Sequence, residues 1–177
     1  MHRKKILFIV IGCIIGLLFI LLIPKGVDSI QNVVVNPENG DIAYVSFNNE
    51  YSVIYLVVFD SLGNELFSET LDSGGGGTQA YLVYKGNTLN ICSGRKKTMY
   101  AFNRDGTQAT ENILSKDEII NVYNFQGWNK SHRTKWISVN NNKYVYREAP
   151  FPKYIFNNFC ELYIEQSDGT RIVLYQD

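Results

Sequence analysis

The sequence predicts an all-β domain held behind a single N-terminal transmembrane helix. Three observations carry this. An uncharged apolar run spans Ile6–Ile23. The chain holds twelve Tyr and ten Phe, residues that favour strands. A polar turn ending in Gly recurs three times between apolar segments.

The apolar run comes first. As a helix it spans roughly 27 Å, close to a hydrocarbon core of about 30 Å. A helix is the form in which one isolated segment satisfies its own backbone in lipid. Arg3, Lys4 and Lys5 precede the run, and Pro24 and Lys25 follow it. The positive-inside bias therefore places residues 1–5 in the cytoplasm, 6–23 in the bilayer and the rest outside the cell. The chain exits through Leu-Leu-Ile-Pro-Lys-Gly-Val-Asp, without the small-residue pattern of a cleaved signal peptide, so retention is favoured. Val10-Ile11-Gly12-Cys13 resembles a lipobox, but ten apolar residues follow Cys13 where a lipidated chain turns polar. Gly12 and Gly16 form a GxxxG spacing, which suits close packing against a second helix or a lipid-facing surface.

A linker over 24–32 and a β domain over 33–177 follow. All seventeen Asp and Glu lie beyond the run, while three of the seventeen Lys and Arg precede it. The outer part is thus mildly acidic and has no basic stripe, which argues against a nucleic-acid partner. Its length suits one ordinary domain with its own core.

The strands are expected in three groups of four. The first comprises Val33–Val35, Ile42–Phe47, Val53–Phe59 and Glu65–Leu71. The second comprises Ala80–Tyr84, Thr88–Cys92, Thr98–Phe102 and Thr107–Thr110. The third comprises Trp136–Val139, Lys143–Arg147, Leu162–Gln166 and Arg171–Tyr175. Val53–Phe59 is apolar at both parities, so it should be covered on both faces. An insertion near 111–132 separates the second and third groups. There Ser115-Lys116-Asp117-Glu118 fits a capping box, with Ile119, Ile120 and Tyr123 on one face of a short helix and Gly127 at its end.

Each group has its Gly-ended turn after the third strand: Val57-Val58-Phe59-Asp60-Ser61-Leu62-Gly63-Asn64, Tyr100-Ala101-Phe102-Asn103-Arg104-Asp105-Gly106-Thr107, and Tyr163-Ile164-Glu165-Gln166-Ser167-Asp168-Gly169-Thr170. Glycine supplies the positive φ that such a turn needs. These turns resemble the outer hairpins of bacterial β-propeller repeats of the NHL and quinoprotein-like kind, in which a strand ends in an aromatic, Asp, a variable pair and Gly. The resemblance covers three short motifs. It implies propeller-blade-like units of four strands and carries no catalytic residue across. The second copy has Asn103 for Asp, and the third has Glu165-Gln166. Closed propellers have about four or more blades, so three units call for a partner, for self-association through open sheet edges, or for a β-sandwich or irregular barrel instead.

Chemistry is sparse. His132 is the one histidine after the apolar run and sits in a polar stretch, where a solvated loop residue is the ordinary role. Gly74–Gly77 with Thr78 lacks the Gly-Lys-Ser/Thr ending of a phosphate loop. Arg95-Lys96-Lys97 is a compact basic cluster that suits a solvated turn or an acidic surface. Trp128, His132, Arg133 and Trp136 mix aromatic and hydrogen-bonding groups, the composition of a carbohydrate- or peptide-binding surface; core packing is the competing role for Trp136. Cys92 and Cys160 could close a disulfide in an oxidising compartment or stay as two buried thiols. Cys/His zinc ligation lacks ligands, no metal site is expected, and no cofactor is implied. The expected function is therefore a membrane-tethered extracytoplasmic β domain that binds or scaffolds a protein or surface polymer. The alternatives are a subunit of a cell-envelope complex and a membrane-bound hydrolase using His132.

Overall fold

The computed structural model describes residues 29–48, 53–72, 80–93, 97–115, 118, 127–131, 133–148 and 160–176. The apolar run, with Gly12 and Gly16, lies outside the described residues, as do His132 and residues 119–126. No helix among the described residues is long and apolar enough to cross a membrane.

The described chain is all-β, built of antiparallel strands in three sheets. The first sheet orders β1 (Ser29–Val35), β2 (Ile42–Asn48), β3 (Val53–Phe59) and β4 (Glu65–Asp72) as a simple meander. The second contains β5 (Ala80–Lys85), β6 (Thr88–Ser93) and β7 (Lys97–Phe102). The third runs in the order β12 (Arg171–Gln176), β11 (Cys160–Glu165), β10 (Asn142–Glu148), β9 (Thr134–Val139) and β8 (Asn129–Ser131). β1 starts at Ser29, inside the stretch expected to be linker.

The expected strands are present with one exception. After Phe102 the chain makes its turn and forms a single bridge, Phe102 to Gln108, where a fourth strand was expected over Thr107–Thr110. The Ala109 amide still donates to the Ala101 carbonyl. The chain then leaves the sheet edge and swings across the outer face of the second sheet. Asn112 takes a positive φ of 55° there. Asn90, fully buried on β6, holds the swing: its side-chain oxygen accepts from the Leu114 amide at 3.0 Å, and its amide donates to the Asn112 carbonyl at 3.2 Å. A buried amide on a strand needs such partners, and these two bonds outcompete ladder pairing.

One bond of the expected capping box is present, the Ser115 amide donating to Glu118 Oε2 at 2.8 Å, and the Ser115 hydroxyl donates to the same oxygen at 2.8 Å; the helix expected to follow lies outside the described residues. β8 was not foreseen within the insertion; it pairs Asn129 with Trp136 and Ser131 with Thr134.

The first sheet is the middle layer. Ile42, Tyr44 and Phe59 pack against Tyr144, Leu162 and Ile164 of the third sheet. Val45, Leu56 and Val58 on its other face pack against Leu82, Leu89 and Ile91 of the second. β3 is fully buried on the face of Ile54, Leu56 and Val58; on its other face Phe59 and half-buried Val57 pack toward the third sheet, while Val53 and Tyr55 stay half-exposed, so the cover its apolar sequence predicts is complete on one face and partial on the other.

The three Gly-ended turns share one backbone geometry. In each, the residue at the strand end donates its amide four positions on, to Asn64, Thr107 or Thr170, at 2.8–2.9 Å, and accepts back from Gly63, Gly106 or Gly169 at 2.9–3.0 Å. The glycine φ values are 83°, 82° and 83°.

Candidate interaction surface

Antiparallel meanders put alternate turns at one end of a sheet. The turns at 36–41, 60–64, 86–87, 103–107, 140–141 and 166–170 lie at the same end of their sheets, with the start of β1 at the opposite end. At the first end the β1–β2 turn, Asn36-Pro37-Glu38-Asn39-Gly40-Asp41, is the hub.

The turn organises itself first. Asn36 Oδ1 accepts from the Glu38 amide at 2.9 Å, and Asn39 Oδ1 accepts from the Asp41 amide at 2.9 Å. Both are local side-chain-to-backbone bonds that replace ladder pairing in a turn. The second sheet then attaches to it. Arg104 donates to the Asp41 carboxylate through Nε at 2.7 Å and Nη2 at 3.1 Å, and Asn39 donates to the same group at 3.0 Å. Asn36 donates to the Gly86 carbonyl at 3.2 Å, and Asn39 donates to Asn87 Oδ1 at 3.1 Å. The third sheet attaches from the other side. The Tyr144 hydroxyl donates to the Gly40 carbonyl at 2.5 Å, and Asn140 donates to the Glu38 carbonyl at 3.3 Å. Asn142 bridges to the neighbouring turn through the Ser61 carbonyl at 3.0 Å. A Cβ on Gly40 would stand 2.6 Å from the Tyr144 hydroxyl, so a side chain there would push the third sheet away.

The electrostatics fix the hydrogen-bonding state of these groups. Burial, and next the Asp41 carboxylate, push the Tyr84 hydroxyl far above the usual tyrosine range. Burial raises Tyr144 to about 12. Both hydroxyls stay protonated, and that of Tyr144 donates to the Gly40 carbonyl. The Asp41 carboxylate is taken up by Arg104 and Asn39. Around this centre Asp60, Asp105 and Asp168 bind their own turns. Asp105 accepts from the Thr107 hydroxyl and amide, which hold its carboxyl below the usual range. The Thr170 amide does the same for Asp168. At Asp60, burial acts upward but is outweighed by bonds from Asn64 and Leu62, and the pKa is lowered.

The aromatic set read from the sequence is not one surface. Trp128 and Ile137 pack onto the core between the first and third sheets. Trp136, adjacent to Ile137 on β9, therefore points to the other face of the third sheet, in the cross-strand row with Val145 and Tyr163. Arg133 lies just before β9, where its carbonyl accepts from the Glu148 amide at 3.0 Å. Cys92 and Cys160 are buried thiols, with no disulfide between them. They belong to the second and third sheets, on opposite sides of the first. Packed sheets stand about 10 Å apart, whereas a disulfide needs Cα atoms within about 7 Å. Among the described residues no cluster of His, Cys, Asp and Glu could hold a metal ion.

The hub itself was not singled out from sequence. Asn-Pro and Asn-Gly dipeptides within six residues mark a turn with positive φ, but nothing local reveals that Arg104 and Tyr144, far along the chain, converge on it. No protein-family model matches this chain, and comparison with curated proteins finds none similar.

Proposed function

We propose that the chain is a single-pass membrane protein whose outer domain binds or scaffolds a protein or surface polymer without catalysis, its sheets being propeller-blade-like units stacked in a row. The direction of β1 carries this reading. With the span expected over Ile6–Ile23, residues 24–28 bridge to Ser29, and five residues reach at most about 17 Å. The domain then stands on the bilayer by the end at which β1 starts, and the Asp41–Arg104 turn end points away from it. A surface of fixed Asn, Asp and Arg groups, locked by bonds from all three sheets, is preorganised for polar recognition. Tethering adds a high local concentration beside other envelope components.

Single-cysteine variants at exposed Asn141, made in a background lacking the native cysteines, test the orientation. A membrane-impermeant maleimide should label Asn141→Cys in intact cells, and alkaline carbonate should leave the protein in the membrane fraction. Labelling only after lysis, or release by carbonate, overturns the reading. Crosslinking from the same position should then trap a defined partner.

A further inference from the structure

The turn at residues 140–141 lies at the Asp41 end of the stack, and β9 extends away from it for six residues, about 20 Å. The pair of Ser131 with Thr134, where β8 meets β9, therefore lies at the end where β1 starts. Its lateral place is set as well. Ile172 of β12 lies over the β3–β4 turn at Gly63, whereas Tyr144 of β10 and Asn140 reach the β1–β2 turn. The third sheet thus continues past β10 on the β1 side, and Trp128 and Ile137 pack on the same core cluster as Ile30. The β8–β9 pair stands beside the strand that follows the expected membrane span.

The charges of this pair are poorly answered. No acidic residue occurs between Glu118 and Glu148. Lys130 stands directly opposite Lys135 in the register, and like charges so placed are destabilising. Lys135 has partners in the sheet: its Nζ lies 3.4 Å from Glu148 Oε1 and 5.2 Å from the centre of the Tyr146 ring. Lys130 is exposed on the edge strand, and half-buried Arg133 follows it. The other acids at this end sit away from the pair. Glu161 is opposite Arg147 and 4.0 Å from Arg171, and Asp72 ends β4 at the far edge of the first sheet. An edge lysine also deters strand pairing, but that role does not call for a second lysine opposite it. A repulsive pair on a surface is relieved by an anion from outside the protein.

We propose that Lys130, with Lys135 and Arg133 beside it, seats on anionic phospholipid headgroups of the bilayer that holds the chain. Residues 24–28 reach at most about 17 Å from the span to Ser29, so this end of the domain is held at the membrane surface. Cations are drawn to an anionic bilayer within about a Debye length, about 8 Å at physiological salt. Lipid phosphates supply the counter-charge that the β8–β9 pair lacks. The site deepens the tethered orientation above and rests on it.

The test uses the full chain in nanodiscs of phosphatidylcholine alone, or of phosphatidylcholine and phosphatidylglycerol in equal parts. Each disc carries a trace of lipid spin-labelled on its headgroup. A fluorophore is attached at Ser131→Cys or at Asn141→Cys, both exposed positions, in a background lacking the native cysteines. Quenching at position 131 should be about twofold or more stronger in the anionic disc. It should fall to the neutral level in about 1 M salt, where the Debye length is about 3 Å. Position 141 should stay unquenched in both discs. Lys130→Glu should abolish the difference at position 131. Its unfolding midpoint should not fall, because it sets opposite charges across the pair with Lys135. The proposal is overturned by equal quenching at position 131 in the two bilayers, or by a difference that survives in Lys130→Glu. A difference removed by inorganic phosphate at constant ionic strength also overturns it, by assigning a discrete phosphate site. With position 141 unquenched, each of these leaves the tethered orientation standing. Quenching at position 141 in place of 131 overturns the orientation and this site together.

Discussion

Arg104 holds the Asp41 carboxylate across the junction of the first and second sheets, and the two partners are very unequally buried: the Asp41 side chain is 3% exposed and that of Arg104 is 52% exposed. Removing the arginine strands a buried carboxylate, whereas removing the acid releases a cation that can return to water. Arg104→Ala is expected to cost about 2 kcal/mol, below the full cost of breaking a buried pair because the arginine is half in solvent. Asp41→Asn should cost less, about 1 kcal/mol. Chemical denaturation of the two variants checks the order, and equal losses would falsify the asymmetry.

Gly63 and Gly169 share a φ of 83° but not a neighbourhood. A Cβ on Gly63 would stand 2.5 Å from Ile172 Cγ2 of the third sheet, while a Cβ on Gly169 would meet nothing within 4 Å. Both alanine variants pay the positive-φ cost of about 1–2 kcal/mol. Gly63→Ala should lose about 1–3 kcal/mol more, because the third sheet must shift. Thermal unfolding of the pair separates backbone strain from packing, and matching midpoints would show that the sheet yields freely.

That contrast shows how far the sequence is legible. The strands and their turns follow from local chemistry: apolar alternation, Asp-Gly and late glycines act over a few residues, and Val53–Phe59 marks a strand that reaches cover on both sides without being fully buried on both. What was not legible is which sheet lies in the middle. The stacking order depends on contacts such as Gly63 with Ile172 and Gly106 with Phe67, which join residues far apart in the chain. The missing fourth strand was also invisible, because Thr107–Thr110 carries no strand breaker and the buried Asn90 that holds the diverted chain at Asn112 and Leu114 lies far back along the sequence. The grouping of Trp128 with Trp136 failed for a simpler reason: nearness along the chain does not put two side chains on one face of a sheet.

A substitution in the third motif sets the outer face of the third sheet apart from those of the inner units. Phe59 and Phe102 close the first and second units and are buried against the next sheet, opposite Ile42 and Leu89. Glu165 holds that place in the third unit, opposite Lys143, with 3.5 Å between Lys143 Nζ and Glu165 Oε1. An ion pair thus replaces the aromatic anchor on the outer face. Glu165→Phe should restore the pattern of the inner units and expose an apolar patch beside Tyr163 and Val173. Sedimentation should show concentration-dependent association of the variant at micromolar levels, and a persistent monomer would remove Glu165 as the determinant.

The segment crossing the second sheet should loosen in acid. Glu118 accepts from Lys85 Nζ at 2.8 Å and from Ser115, and these bonds, Lys85 first, lower its pKa from 4.5 to about 2. The folded pKa lies below the unfolded one, so the contribution is complete above about pH 4.5 and is lost as pH falls through about 2. Hydrogen exchange at Ser115 should therefore accelerate between pH 4.5 and 2, after correction for the intrinsic rate. Leu114, held by Asn90, should respond less, since an amide side chain does not titrate. In Glu118→Gln the Ser115 exchange should be fast throughout, with no inflection. An inflection surviving in that variant would assign the transition to another carboxylate, of which Asp105 and Asp168, held only by their own turns, report on different amides.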